Sequence, residues 1–234
     1  MSSPTWPHST ITQVFENVFL VTGTNIVVHD GIQLQHSRNM IIVRNKDELS
    51  LINTVKLSEE GLAQLDSLGT VANIIRIGAF HGRDDAFYLN RYNAKLWALA
   101  KMIHADNHIT DVILTPNQTL PFQNAKLFLF ETSVHPEAAI LLEQDGGILI
   151  TCDSIKNWVK ADKYFSQETA ALYQAQGYLG EASISSIWLD ACKVQNHDFA
   201  NLLDLNFQHL LSAHGEPLIN SAHKKVSDSI EKMN

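Results

Sequence analysis

Four stretches of this 234-residue chain carry side chains able to hold a metal ion or move a proton. Residues 78–85, Gly-Ala-Phe-His-Gly-Arg-Asp-Asp, put His81, Arg83, Asp84 and Asp85 in one polar loop. Residues 133–137, Ser-Val-His-Pro-Glu, offer His135. Two apolar runs end on polar residues, 148–154 with Asp153 and 210–217 with His214. Imidazole nitrogen and carboxylate oxygen are the donors a catalytic zinc takes, about three from the protein with one position open for water. His81, His135, Asp153 and His214 are side chains of the type such an ion takes. Asp84 and Asp85 are candidate catalytic carboxylates, either of which could also be a fourth ligand. Such a mixed set suits one Zn ion, or Fe or Mn in second place. Arg83 brings a different chemistry: a guanidinium in a site short of metal ligands supplies positive charge and binds an anionic group of a substrate.

Each residue also has a purely structural reading. His81 can bond neighbouring backbone, Asp153 can cap the turn that follows it, and His214 can serve a tight turn before Gly215. Carboxylates at a helix start stabilise it without further purpose, which covers Asp84 and Asp85. Strand alternation aims His135 to the opposite side from Val134. Arg83 can be an ordinary surface arginine, and Cys152 a small core residue.

The elements that must hold these residues are legible in part. Residues 13–21, 39–43 and 49–54 read as strands from their β-branched and aromatic content. Ser58 caps a predicted helix with Glu59 and Glu60 in its first turn, Leu62 and Leu65 on its apolar face and Gly69 as terminator. Residues 71–77 form a short apolar run suited to a strand buried on both faces, and the polar loop leads from it into a helix over 86–92. Residues 126–131, 138–142 and 147–151 read as β, with Asp145-Gly146-Gly147 turning between the last two. From Gln167 to Trp188 apolar residues recur at helical spacing; 207–211 reads as β, and a polar helix over about 221–232 closes the chain.

Composition narrows the class. Hydrophobic residues at 45% and charged residues at 18% belong to a globular protein. A formal charge of −8 with scattered Lys and Arg argues against a nucleic-acid or anionic-membrane partner. No apolar run approaches the roughly 18 residues of a membrane span. The N-terminal residues lack the basic start and apolar core of a secretory signal, and two cysteines make no framework. A cytoplasmic location is expected. No linker or fixed-period repeat divides the chain, so one domain over 1–234 is expected. Nucleotide-binding glycine motifs, Gly-x-Ser-x-Gly and His-Glu-x-x-His are all missing.

Taken in order, the segments resemble the metallo-β-lactamase superfamily over about residues 14–217. The loop after strand 71–77 resembles that family's His-x-His-x-Asp-His signature. With His81 as the second histidine, Ala79 stands for the first, Arg83 for the aspartate and Asp84 for the last histidine. A slip of one residue puts Asp84 and Asp85 in the final two positions instead. Residues 148–154 resemble the strand that ends in the metal-bridging aspartate, here Asp153, and His214 matches the last histidine ligand. In 133–137, aligned on Pro136, Val134 takes the ligand position and His135 follows it. The resemblance implies a four-layer αββα sandwich with a degenerate metal site, in which His81, Asp153 and His214 remain as candidate ligands and His135 is a shifted candidate in place of Val134. Three functions follow: a non-catalytic or single-metal protein, an active hydrolase of an ester, thioester or amide, or an assembly module pairing as a homodimer.

Overall fold

The computed structural model describes residues 4–29 and 31–233; residues 1–3, which belong to the stretch read for a leader, lie outside it with 30 and 234. In chain order the elements are β1 (Thr12–Phe15), β2 (Val18–His29), β3 (Ile32–Asn45), β4 (Glu48–Ile52), α1 (Glu59–Leu68), β5 (Thr70–Arg76), α2 (Asp85–Tyr92), β6 (Lys95–Ala98) and β7 (Val112–Ile113). There follow β8 (Ala125–Leu129), β9 (Ala138–Leu142), β10 (Ile148–Thr151), β11 (Ile155–Lys156), α3 (Gln167–Ala175), β12 (Ser183–Ile184), α4 (Ser186–Cys192), α5 (Asn196–Leu203), β13 (His209–Ser212) and α6 (Ala222–Glu231).

Strands β1 to β7 form one sheet in sequence order, and β13-β10-β9-β8 form the second. Side-chain alternation in β3 shows how the layers arise. Ile41 and Val43 face the second sheet, packing with Ile140, Ile150 and Leu211. Met40 and Ile42 face the other way, with Leu62 and Leu65 of α1 and Tyr88 of α2. The second sheet does the same: Leu141, Leu149 and Leu210 pack outward on Trp188, Phe199, Val226 and Ile230 of α4, α5 and α6. The result is the αββα sandwich that the sequence implies. Among the described residues, no helix is long and apolar enough to cross a membrane.

Three elements differ from the sequence reading. The strand expected over 13–21 is two, because Asn17 adopts φ 59° and turns β1 back on β2; asparagine tolerates this left-handed conformation better than most residues. β3 starts at Ile32 rather than Asn39, because β2 pairs with every residue from Ile32 to Val43 and so makes strand of a polar stretch. The helical stretch 167–188 is divided. Ile184 pairs with Ile155 in a two-stranded ribbon, and Ser185 then caps α4 by accepting from the Trp188 amide.

Candidate metal site

The site forms where three strands end. β10 and β13 run parallel in register, Thr151 opposite Ser212. Asp153 and His214, each two residues beyond, therefore emerge side by side. The loop after β5 brings His81 from the other sheet. Backbone bonds tie the sheets there: Ala138 donates to Ile77 O at 2.8 Å and Ala79 to Pro136 O at 3.0 Å. Arg76 holds the His81 loop, its Nη2 donating to Ala79 O at 2.6 Å and its Nε to Gly78 O at 3.3 Å.

His81 Nε2 lies 3.1 Å from His214 Nε2, His214 Nε2 lies 3.1 Å from Asp153 Oδ1, and His81 Nε2 lies 3.5 Å from Asp153 Oδ2. All three residues are buried. Bonds of about 2.0–2.2 Å meeting at the tetrahedral angle place ligand atoms about 3.3–3.6 Å apart; one observed edge, 3.5 Å, lies in that range and the two of 3.1 Å fall slightly short of it. The protonation pattern agrees. His214 Nδ1 lies 3.1 Å from Ser37 O; a carbonyl only accepts, so Nδ1 carries the proton and Nε2 presents a lone pair to the triangle. Burial lowers the His214 imidazole to about 3 against the pull of Asp153, so it stays neutral. Burial acts to raise Asp153, but the imidazoles of His81 and His214 outweigh it and hold the carboxyl well below its usual range. An ionised carboxylate and a neutral imidazole lone pair facing each other at 3.1 Å are two acceptors, an arrangement that favours a cation; the Lys156 ammonium lies 3.8 Å from the same Asp153 oxygen, at the edge of the cluster.

The other sequence candidates lie elsewhere. Asp84 accepts from the Lys56 amide at 3.0 Å and lies 3.6 Å from Arg38 Nη1. Asp85 accepts from Thr54 Oγ1 at 2.6 Å, and burial raises its carboxyl. Both hold the connection from β4 to α1, and the structure does not bring them into the three-residue cluster. Although Asp84 occupies the N-cap position of α2, its side chain makes no capping bond. His135 is exposed, its ring 5.2 Å from that of Phe80, and it too lies outside the cluster. Arg83 is exposed and donates to Ile26 O at 3.1 Å. It lines a cavity of about 210 Å³ whose walls include Asn25, His36, Arg38 and the three clustered residues.

Four neighbours escaped the sequence reading. Glu137, 1% exposed, accepts from the amides of Asp153 at 2.9 Å and Ser154 at 2.8 Å. It forms an isolated bridge with Gly78, so it touches the loops that carry His81 and Asp153. Burial, then the charge of Asp153, raise its carboxyl well above the usual range. Asn25, His36 and Arg38 come from the arms of the β2–β3 hairpin; their signal was the period-two recurrence of polar residues at 36 and 38 just before the apolar part of β3. Cys152 is fully buried and its thiol is pushed well up, first by burial, so it is no thiolate.

No family model and no curated protein match the chain. Solved structures do. The DIM-1 metallo-β-lactamase exposed to ceftazidime matches with a TM-score of 0.65 over 99% of this chain and 100% of its own, at 17% identity. The FIM-1 metallo-β-lactamase from Pseudomonas aeruginosa in its mono-zinc form gives 0.64 over 96% and 95%, at 13% identity. VMB-1 gives 0.63 over 96% and 97%, at 15%. At such identities the likeness is one of fold, and the chain has the metallo-β-lactamase fold.

Proposed function

We propose that this protein is a single-metal hydrolase whose ion is held by His81 Nε2, Asp153 and His214 Nε2. The observation that carries the reading is the convergence of these three donors, 3.1 to 3.5 Å apart, with the His214 lone pair directed inward by the bond to Ser37 O. Two nitrogens and one carboxylate favour zinc, with iron or manganese next. When bound, such an ion supplies Lewis acidity, polarising an ester, thioester or amide carbonyl and lowering the pKa of a water toward about 7. The chain's own part is to fix the donors and shape the approach. Ser37 O fixes the His214 tautomer, Glu137 fixes the backbone under Asp153, and Arg76 fixes the loop under His81. The cavity of about 210 Å³ admits a small acyl group.

The test is metal content of protein purified without chelator or affinity-tag metal, measured by plasma mass spectrometry, beside His81→Ala and His214→Ala. About one equivalent of Zn, Fe or Mn that falls away in both variants is expected, together with hydrolysis in a panel of ester, thioester and amide substrates that falls with it. Negligible metal in the unsubstituted protein sinks the reading. Bound metal with no turnover across the panel sinks its catalytic half.

A further inference from the structure

One cation at the edge of the three donors is built into the chain. Lys156 ends β11 and is held in the two-stranded ribbon by its pairing with Ser183 of β12. Its Nζ lies 3.8 Å from Asp153 Oδ1, the oxygen that also faces His214 Nε2 at 3.1 Å. Asp153 is the only ion-pair partner of Lys156 among the described residues. The lysine side chain is 16% exposed and that of Asp153 13%, so salt screens the contact little. An ion held by Asp153 must share a carboxylate that a tethered positive charge already neutralises, and two positive charges on one carboxylate repel each other.

The surroundings also give the ammonium a place to go. Nζ sits 5.2 Å from the centre of the Trp158 ring, and Lys156 lines a second cavity, of about 200 Å³, together with Trp158, Tyr173, Gln176 and Tyr178. That cavity shares no lining residue with the one that holds His81, Asp153 and His214. A displaced ammonium on its flexible four-carbon stem can stay over the aromatic faces, which attract a cation. None of the described residues lining the second cavity is Asp or Glu, so no second carboxylate holds the lysine away from Asp153 once it has moved.

We propose that Lys156 is an affinity-determining residue of the metal site: its ammonium neutralises Asp153 in the metal-free protein and competes with the metal for that carboxylate, which keeps the bound ion exchangeable. That an ion enters at all rests on the proposed function. A lysine with a merely structural role would act in the opposite direction. Loss of a contact that shapes the donors weakens metal binding, whereas loss of a competing charge strengthens it.

The test is zinc titration of the chelator-treated full chain by calorimetry, for the parent, the neutral variants Lys156→Leu and Lys156→Gln, and the charged variant Lys156→Arg, with circular dichroism to confirm folding. Both neutral variants are expected to bind zinc at least about tenfold more tightly than the parent, which is about 1.4 kcal/mol, and Lys156→Arg no more tightly than the parent. If one neutral variant fails to fold, the other decides. Unchanged or weaker binding in the neutral variants overturns the competition and leaves the metal site standing, and so does an equal gain in Lys156→Arg. Zinc binding in the neutral variants but not in the parent upholds the competition and overturns the single-metal hydrolase reading. Absence of binding in all four proteins overturns both.

Discussion

The Nε2 atoms of His81 and His214 lie 3.1 Å apart, although the residues are 133 positions distant in the chain and their supporting strands belong to different sheets. With the His214 proton on Nδ1, at least one of the facing nitrogens is a bare lone pair, and Asp153 Oδ1 adds a second acceptor at 3.1 Å. The fold holds these groups together through its cores, and a shared cation would relieve the repulsion between them.

Zinc is therefore expected to raise the melting temperature of chelator-treated protein. A ligand that binds only the folded state, at free concentration about 100 times its Kd, adds about 2.7 kcal/mol. For a chain of this size that is a shift of roughly 5–10 °C. Scanning calorimetry of the unsubstituted protein and His214→Ala checks it; an equal shift in both places the ion elsewhere.

Glu137 acts through Asp153. Glu137→Ala leaves two buried amides, those of Asp153 and Ser154, without their acceptor, at a cost of about 2–4 kcal/mol. Zinc affinity is expected to fall with it. Glu137→Gln keeps an oxygen at that position and should restore both stability and affinity. Urea unfolding together with zinc titration separates this from general destabilisation, because a purely structural role would lower stability in the alanine variant without changing the affinity of the folded fraction.

Burial lowers His36 from its ordinary 6.5 to about 4, so the folded protein keeps it neutral where the unfolded chain takes up a proton. The unfolded state binds more protons between about pH 6.5 and pH 4, so stability rises with pH across this window and is lost on acidification. The loss reaches up to about 3 kcal/mol once pH falls through the lower value. His36→Phe keeps a ring beside Trp158 and Tyr173 and removes the proton site. In urea titrations of chelator-treated protein at pH 7 and pH 4.5, the variant should lose less stability than the parent. Parallel losses would show that His36 is not the group responsible.

Gly215 follows His214 at φ +94°, and a Cβ there would lie 2.0 Å from Asn157 O. The neighbouring chain is bonded on both sides, Asn157 donating to His214 O and Glu216 to Asn157 O. Gly215→Ala is expected to cost at least about 2 kcal/mol and to displace His214, which circular dichroism melts and zinc titration would report together. A variant with unchanged melting and affinity would contradict the close approach.

The sequence by itself determined several of the local elements and which polar residues stand at the ends of the apolar runs. Ser58, the two glutamates after it and Gly69 bound α1 as read, and the apolar runs ending at Asp153 and His214 became the parallel pair β10 and β13. These depend on capping, propensity and short-range periodicity, which are written in neighbouring residues. What only the tertiary structure decided was which polar residues meet. Asp84 and Asp85 share a loop with His81, yet their carboxylates turn to Lys56, Arg38 and Thr54. Glu137, Asn25, His36 and Arg38 carry no motif, yet they surround the site. Polar side chains in loops and at strand ends take their direction from long-range pairing, and the register of β2 on β3 and of β10 on β13 is fixed by buried faces contributed from the whole chain.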